Sequence, residues 1–450
     1  MPRLHEYQED ALEFALHHKS TFMMLEMGLG KTAIALNFIR EVDMPAIVVA
    51  PLGAIHTTWP DEIIKWTPEL TYTILHGKDK DIHLRYNRDI RIINYDGLKW
   101  LLKNARKLGR RKFILILDES SFIKSPSTNR FKTLRNLMPL WSPYRMCLSA
   151  TPSPNGMHEL WSQFFMLDNG RRLGIFPSRY LSENFVVTGP PRYKTFIVNG
   201  ARKKIHNKIK DISYYLKATD YLKMPEYIFN EVKLKMPPRL QKVYKKFERE
   251  FVLRIRGMNV NAFNKAALSM KLRQFMQGAI YTDRKGNYQL VHQLKIQALK
   301  EVLESAGGHP ILCPIQFKFE VEMITKALGN VPTIVGGVKQ NIRTRHINNW
   351  NRGQYPLMLC HPRSIGHGTN LQTGGNIVLW YGLPWSWEQY YQLNGRLYRQ
   401  GQLKKGVIIS HLLFENTIDY IILSVLRLKE GDQRQLFSAV QQFARNYKGV

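Results

Sequence analysis

Short, predominantly apolar runs restrict most strongly how this chain can fold. In the first third they read AIVVA (46–50), IRIINY (90–95) and FILILD (113–118). In the last third they read PILCPI (310–315), PLMLCH (356–361), NIVLWY (376–381) and GVIISHLLF (406–414). A strand with one wet face alternates apolar and polar residues, whereas a run that is apolar on both faces needs cover on both sides. Helix-compatible stretches such as 32–41 and 60–66 lie between the early runs and can supply that cover. The pattern predicts an α/β protein with two parallel-sheet lobes in tandem. The lobes are expected over 1–168 and 296–450, with a basic, mainly helical region over 169–295 between them.

That middle region differs in kind. Residues 190–260 hold eighteen Lys and Arg against six Asp and Glu. Leu240, Tyr244, Phe247 and Phe251 recur at spacings of three and four, the signature of an amphipathic helix. Its apolar face is expected to pack on a lobe. Its charged faces either meet solvent or line a nucleic-acid groove. Over the whole chain, 66 Lys and Arg face 35 Asp and Glu, a net charge of +31. Such an excess points to a polyanionic partner, either nucleic acid or an anionic membrane surface. No run of eighteen apolar residues is present, so a transmembrane helix is not expected. The start MPRLHEYQED lacks the apolar segment of a secretory signal, so secretion is not expected either. Cys147, Cys313 and Cys360 are far apart and flanked by apolar residues; they read as buried free thiols in a reducing cytoplasm. With no Cys-x-x-Cys and no His-Glu-x-x-His, structural zinc is not expected.

Chemistry concentrates at the ends of the apolar runs. Glu26-Met27-Gly28-Leu29-Gly30-Lys31-Thr32 follows another short apolar segment. Its glycines let backbone N–H groups approach phosphate oxygens, Lys31 can reach the β- and γ-phosphates, and Thr32 can ligate Mg²⁺. The strict phosphate loop has glycine where Leu25 stands. FILILD ends in Asp118, followed by Glu119. Acids at the carboxyl end of a parallel strand lie where such sheets bind ligands, so Asp118 can hold Mg²⁺ and Glu119 can polarise water. Leu148-Ser149-Ala150-Thr151-Pro152 is a small hydroxyl-bearing turn that can relay phosphate state. Arg396 and Arg399 are three apart, which on a helix puts both guanidinium groups on one face, as arginine fingers for a γ-phosphate.

Taken in order, these strings resemble the superfamily 2 helicases, most closely the Swi/Snf-type ATPases, from Leu4 to about Leu423. The resemblance implies two RecA-like lobes. It implies ATP bound by Gln8, Met27, Gly28, Leu29, Gly30, Lys31 and Thr32, and Mg²⁺ held by Thr32 and Asp118. Glu119, Lys31, Arg396 and Arg399 are the implied catalytic residues. VVAPLGAIHTTWPDEIIKW (48–66) and Asn94-Tyr95 look like DNA-contacting segments, Ile315-Gln316-Phe317 resembles the second-lobe entry motif, and GHGTNLQ (366–372) and QLNGRLYRQGQ (392–402) resemble that lobe's last two motifs. They imply DNA contacts at Pro51, Tyr95, Gln316 and Thr369. LDESSFIKSPSTNRFKTL (117–134) and LSATPSPNGMHELWSQFFML (148–167) resemble the acidic and coupling motifs. Where the family usually has Asp-Glu-Ala-His, this chain has Asp118-Glu119-Ser120-Ser121, which puts the usual coupling in question. Tyr215-Leu216-Lys217 replaces a common Arg-Arg pair. With no histone-reading extension, a bacterial or viral setting in the cytoplasm is expected, with the protein monomeric. The expected activity is an ATP-driven translocase on double-stranded, sequence-tolerant DNA. A strand-separating DNA or RNA helicase is the alternative, and a basic scaffold with weak ATPase the alternative of another class. A membrane-surface role ranks last, for want of an amphipathic anchor.

Overall fold

The computed structural model describes residues 2–187, 195–256, 262–365 and 369–431, with the side chains of 249–256 and 262–268 left aside. The chain divides into two compact units, one carrying the described residues up to Lys223 and the other running from Met224 to Glu430.

Six strands of the first unit are β1 (Ser20–Leu25), β2 (Ala46–Ala50), β3 (Tyr72–Ile74), β4 (Ile90–Asn94), β5 (Phe113–Asp118) and β6 (Trp141–Leu148). A short pair, β7 (Phe185–Val187) and β8 (Thr195–Ile197), follows, and then β9 (Ser213–Leu216). β1–β6 and β9 form one parallel sheet in the order β3-β4-β2-β5-β6-β1-β9. The apolar runs are buried along their length because helices cover both faces, as their composition requires. One such cover, the helix Leu160–Asp168, is buried at every position from Leu160 to Leu167, and it ends at Asn169 in the left-handed region.

The expected boundary at 168 differs from the observed one. Arg172 binds Asp168 and Asp211, and β9 pairs with β1, so the chain stays in the first unit for another fifty-odd residues. Basic composition hid this strand: SYYL is only four residues long and sits among lysines.

The second unit opens with β10 (Glu226–Leu234) and a hairpin, β11 (Ala279–Tyr281) with β12 (Tyr288–Leu290). It continues with β13 (Ile311–Pro314), β14 (Thr333–Ile334), β15 (Leu357–Cys360), β16 (Ile377–Trp380) and β17 (Gly406–Phe414). Its parallel sheet has the order β10-β17-β16-β13-β15-β14. The helices Pro238–Arg256 and Ala262–Met276 belong to this unit. Tyr244, Leu272, Phe275 and Met276 enter its core, with Leu240 and Phe247 packed against it. The Tyr244 hydroxyl accepts from Ile418 N at 2.9 Å. The expected apolar face therefore packs on a lobe at Leu240, Tyr244 and Phe247; the Phe251 side chain lies outside the described residues. The region 169–295 is thus shared between the two units.

Candidate functional site

Strand register gathers the chemistry. Asn94, Ala50, Asp118, Leu148 and Met23 lie in one row across five neighbouring strands at the carboxyl end of the first sheet. With strands about 4.8 Å apart, Asp118 lies roughly 10 Å from β1, and the glycine loop starts at Glu26, three residues past that row.

The loop needs its glycines. Gly28 and Gly30 have φ of +88° and +74°, in the left-handed region that other residues avoid. A Cβ on Gly30 would come within 2.1 Å of the Gln8 side-chain nitrogen. Gln8 is buried, and its Nε2 donates to Leu29 O at 3.2 Å, so the expected adenine-reading glutamine lies directly against the loop. Gly30 is the N-cap of the helix Lys31–Val42, a twelve-residue dipole whose positive end faces the loop. Lys31 Nζ donates to Leu25 O at 2.8 Å and to Glu26 O at 3.3 Å, which holds the ammonium over the loop it belongs to. This cradle, a helix N-terminus, the Lys31 ammonium and the oxygen donors of Thr32 and Asp118 fit a nucleoside triphosphate with a hard divalent cation.

Glu26 anchors the loop from outside. Its carboxylate accepts from Tyr215 Oη at 3.1 Å and from Ala218 N at 2.9 Å, and its own N–H donates to Leu216 O. The segment where the family commonly has an Arg-Arg pair is therefore a brace for the phosphate loop in this chain.

The acidic end of β5 is held from three sides. The indole N–H of buried Trp59 donates to Asp118 Oδ2 at 3.0 Å. Tyr95 Oη donates to Asp118 O at 2.7 Å, with its ring stacked on Phe122. Burial, then the charge of Asp118, push the Tyr95 phenol well above its ordinary pKa, so it is a donor at all working pH. Ser120 Oγ donates to Gln163 Oε1 at 2.7 Å. Glu119, between these anchors, has φ +52°, an unusual value for a residue with a side chain.

The residues expected to touch DNA are placed unevenly. Pro51 and Tyr95 are buried, and the Tyr95 hydroxyl points into the acidic motif. The surface of the Pro51 turn is made by Leu52, Gly53 and His56. Gln316 is half-buried after β13, and its Oε1 accepts from Arg273 Nη2 at 3.2 Å. Thr369 Oγ1 donates to Ile365 O at 2.6 Å. Gly366, His367 and Gly368 of the same motif lie outside the described residues.

Arg396 and Arg399 do not share a helix. The helix Trp387–Asn394 ends at Gly395, and both arginines lie in the turns beyond it. Asn394 and Gly395 are poor helix formers, and the chain closes there through Leu397 N and Tyr398 N onto Asn394 O. The arginines are still tethered to one neighbour: Arg396 Nη1 donates to Thr369 O at 3.4 Å and Arg399 Nη1 to Asn370 Oδ1 at 2.7 Å. Two of the second unit's expected functional segments thus form one connected surface within that unit.

Sequence reasoning gave no role to Trp59, Gln163, Glu26 or Tyr215, although Glu26 and Tyr215 stood in segments it singled out. Gln163 left a signal: it is a lone uncharged amide inside the apolar helical run of 160–167. Among the described residues no cluster of three or more His, Cys, Asp or Glu side chains is poised to hold a metal, and no helix is long and apolar enough to cross a membrane.

Known proteins resemble this chain in sequence. Residues 7–279 match the SNF2-related domain and residues 294–401 the helicase conserved C-terminal domain. Protein p41 of Acyrthosiphon pisum secondary endosymbiont phage 1 is 30% identical, covering 97% of this chain and 98% of that protein. The chromatin structure-remodeling complex subunit snf21 of Schizosaccharomyces pombe is 23% identical over 95% of this chain, which spans 38% of that protein. The human DNA annealing helicase and endonuclease ZRANB3 is 24% identical over 95% of this chain, which spans 40% of it. A solved Sulfolobus solfataricus SWI2/SNF2 ATPase core in complex with double-stranded DNA aligns with a TM-score of 0.45 and 22% identity, over 98% of this chain and 96% of that one. By the span of the domain match and the length-for-length phage relative, this chain belongs to the SNF2-related family of superfamily 2 DNA-dependent ATPases.

Proposed function

We propose that this chain hydrolyses ATP–Mg²⁺ to move along duplex DNA without separating its strands. One observation carries the proposal. Trp59 and Tyr95, which stand in or beside the segments resembling the family's DNA contacts, both end on Asp118 at the nucleotide site. A displacement of either segment by DNA is thereby felt at the acid.

In this reading the backbone of 28–32 and the Lys31 ammonium hold the β- and γ-phosphates, and Gln8 reads the base. Thr32 and Asp118 hold Mg²⁺, which neutralises charge on the phosphate oxygens. Glu119 orients the attacking water and receives its proton. Arg396 and Arg399 supply guanidinium charge to the transition state, where such groups are worth about 10³–10⁵ in rate. Pro51 through its turn, Gln316 and Thr369 are the proposed DNA-facing positions, with Tyr95 acting from behind. The net charge of +31 favours a sequence-tolerant phosphate grip that weakens steeply with salt. A DNA-containing cytoplasm, bacterial or of a virus-infected cell, and a monomeric state complete the proposal.

ATP turnover measured with duplex DNA, single-stranded DNA, RNA and no nucleic acid tests it. Duplex DNA should stimulate most, and a triplex-forming strand should be displaced while a forked duplex stays paired. Stimulation by single strands alone would make the chain an unwinding helicase, and DNA binding without turnover would make it a scaffold. Lys31→Ala should abolish hydrolysis and leave salt-sensitive DNA binding intact; unchanged turnover sinks the site assignment.

A further inference from the structure

Gln163 occupies a position that no nucleotide or DNA contact explains. It is fully buried in the helix Leu160–Asp168, and three of its four hydrogen-bonding directions are used, both N–H donors among them. Oε1 accepts from Ser120 Oγ at 2.7 Å, and Nε2 donates to Pro152 O at 2.6 Å and to Glu159 O at 3.0 Å. Because both amide hydrogens face carbonyl oxygens, the amide cannot flip, and Ser120 must be the donor. One side chain therefore joins the residue after Glu119 to the loop after β6.

A second bridge runs alongside. Lys124 Nζ lies 3.6 Å from Glu159 Oε1, and the Glu159 carboxylate accepts from Asn155 N at 3.0 Å and Asn155 Nδ2 at 2.7 Å. Both ends of the 120–124 turn are thus fastened to the 152–159 loop. Glu119 lies just before the first fastening, in its left-handed conformation. Ser149 and Thr151 lie just before the loop, both fully buried, with Thr151 N donating to Ser149 Oγ at 3.0 Å.

We propose that Gln163, through Ser120, is a positioning residue that sets Glu119 and makes its placement depend on the 149–155 loop. Ser120 and Gln163 then carry the communication that the departure at Ser120-Ser121 put in question. The inference rests on the DNA-stimulated ATPase reading above. Gln163→Met keeps the length and apolar packing but removes every hydrogen bond to Ser120 and Pro152. Ser120→Ala removes a single hydroxyl and is the variant least able to disturb folding.

The test is steady-state ATP turnover of wild type, Gln163→Met, Ser120→Ala and the double variant, with and without duplex DNA, beside a thermal melt of each. KM for ATP should stay within about twofold, since the phosphate loop is untouched, while DNA-stimulated kcat falls about tenfold or more in each single variant. The double variant should lose no more than the worse single one, because both remove one link. Wild-type stimulation in Ser120→Ala, or losses that multiply in the double variant and track the melting temperatures, overturn the proposal. A wild-type protein that duplex DNA does not stimulate overturns the translocase reading instead, and this inference with it.

Discussion

Trp59→Phe isolates the contact between a segment proposed to face DNA and Asp118, the acid proposed to hold Mg²⁺. The indole N–H donates to Asp118 Oδ2 at 3.0 Å from a fully buried ring. Phenylalanine keeps an aromatic ring in that space and removes the donor. A hydrogen bond to a charged group contributes about 1.5–3 kcal/mol, or roughly ten- to a hundredfold in an equilibrium, the same range seen when the outer partners of metal ligands are removed. The Mg²⁺ concentration giving half-maximal turnover at saturating ATP should therefore rise about ten- to a hundredfold. At saturating Mg²⁺ much of the rate should return. Calorimetric binding should show the same loss for Mg–nucleotide and little for nucleotide with chelator. The smaller ring also costs stability, below the ~3–5 kcal/mol of a full Trp→Ala truncation, so melting is measured separately and turnover assayed well below the transition. An unchanged Mg²⁺ dependence in a folded variant refutes the reasoning. So does a rate loss that added Mg²⁺ cannot recover, since Trp59 would then be acting on something other than Asp118.

Three further outcomes follow from other parts of the molecule. Lys295, buried in the second unit, sends its ammonium to Asp419 Oδ2 at 3.0 Å, Tyr381 O at 2.9 Å and Gln277 Oε1 at 3.2 Å. Lys295→Met strands the buried Asp419 charge and should cost about 3–5 kcal/mol, lowering the melting temperature of that unit by roughly 6–20 °C, while adding Asp419→Leu should recover much of it; a shift under about 2 °C counts against the pair. Burial raises the Glu320 carboxyl from 4.5 to about 7, against backbone N–H bonds from Phe317 and Gln316 that pull the other way. A raised folded-state pKa stabilises fully below the unfolded value and is lost as pH rises through the folded one, so wild type should lose ground to Glu320→Gln between about pH 4.5 and 7; a flat difference in urea midpoints across that window refutes it. Gly30→Ala meets both a left-handed φ and the buried Gln8 amide, so ATP affinity should fall while the second unit's melting stays unchanged; retained affinity means the cradle is looser than its geometry.

What the sequence makes legible here is whatever repeats with a short period or sits at a strand end. Predominantly apolar runs declare buried parallel strands because both of their faces need cover, and every one quoted above includes a sheet strand. Glycine, lysine and threonine in fixed order point to a phosphate cradle because the positive φ of Gly28 and Gly30 is a matter of residue type. The contacts that organise the site are of another kind. Trp59 and Asp118 are 59 positions apart, Ser120 and Gln163 are 43 apart, and Glu26 and Tyr215 are 189 apart. No local pattern encodes such a pair; the strand pairing of the first sheet and the helices packed on it bring them together. β9 illustrates the same limit, since four residues among lysines carry too little apolar surface to announce a seventh strand, and its place beside β1 comes from pairing across nearly the whole unit. The arginine motif shows the converse error: a spacing of three was read as a helical face, although Asn394-Gly395 at its start already encoded the stop. The departure at Ser120-Ser121 was visible as a difference from a family pattern, yet its consequence depended on an amide 43 residues away. A substituted motif residue therefore cannot be judged by what it lost; its replacement partner, here Gln163, has to be found in the fold first.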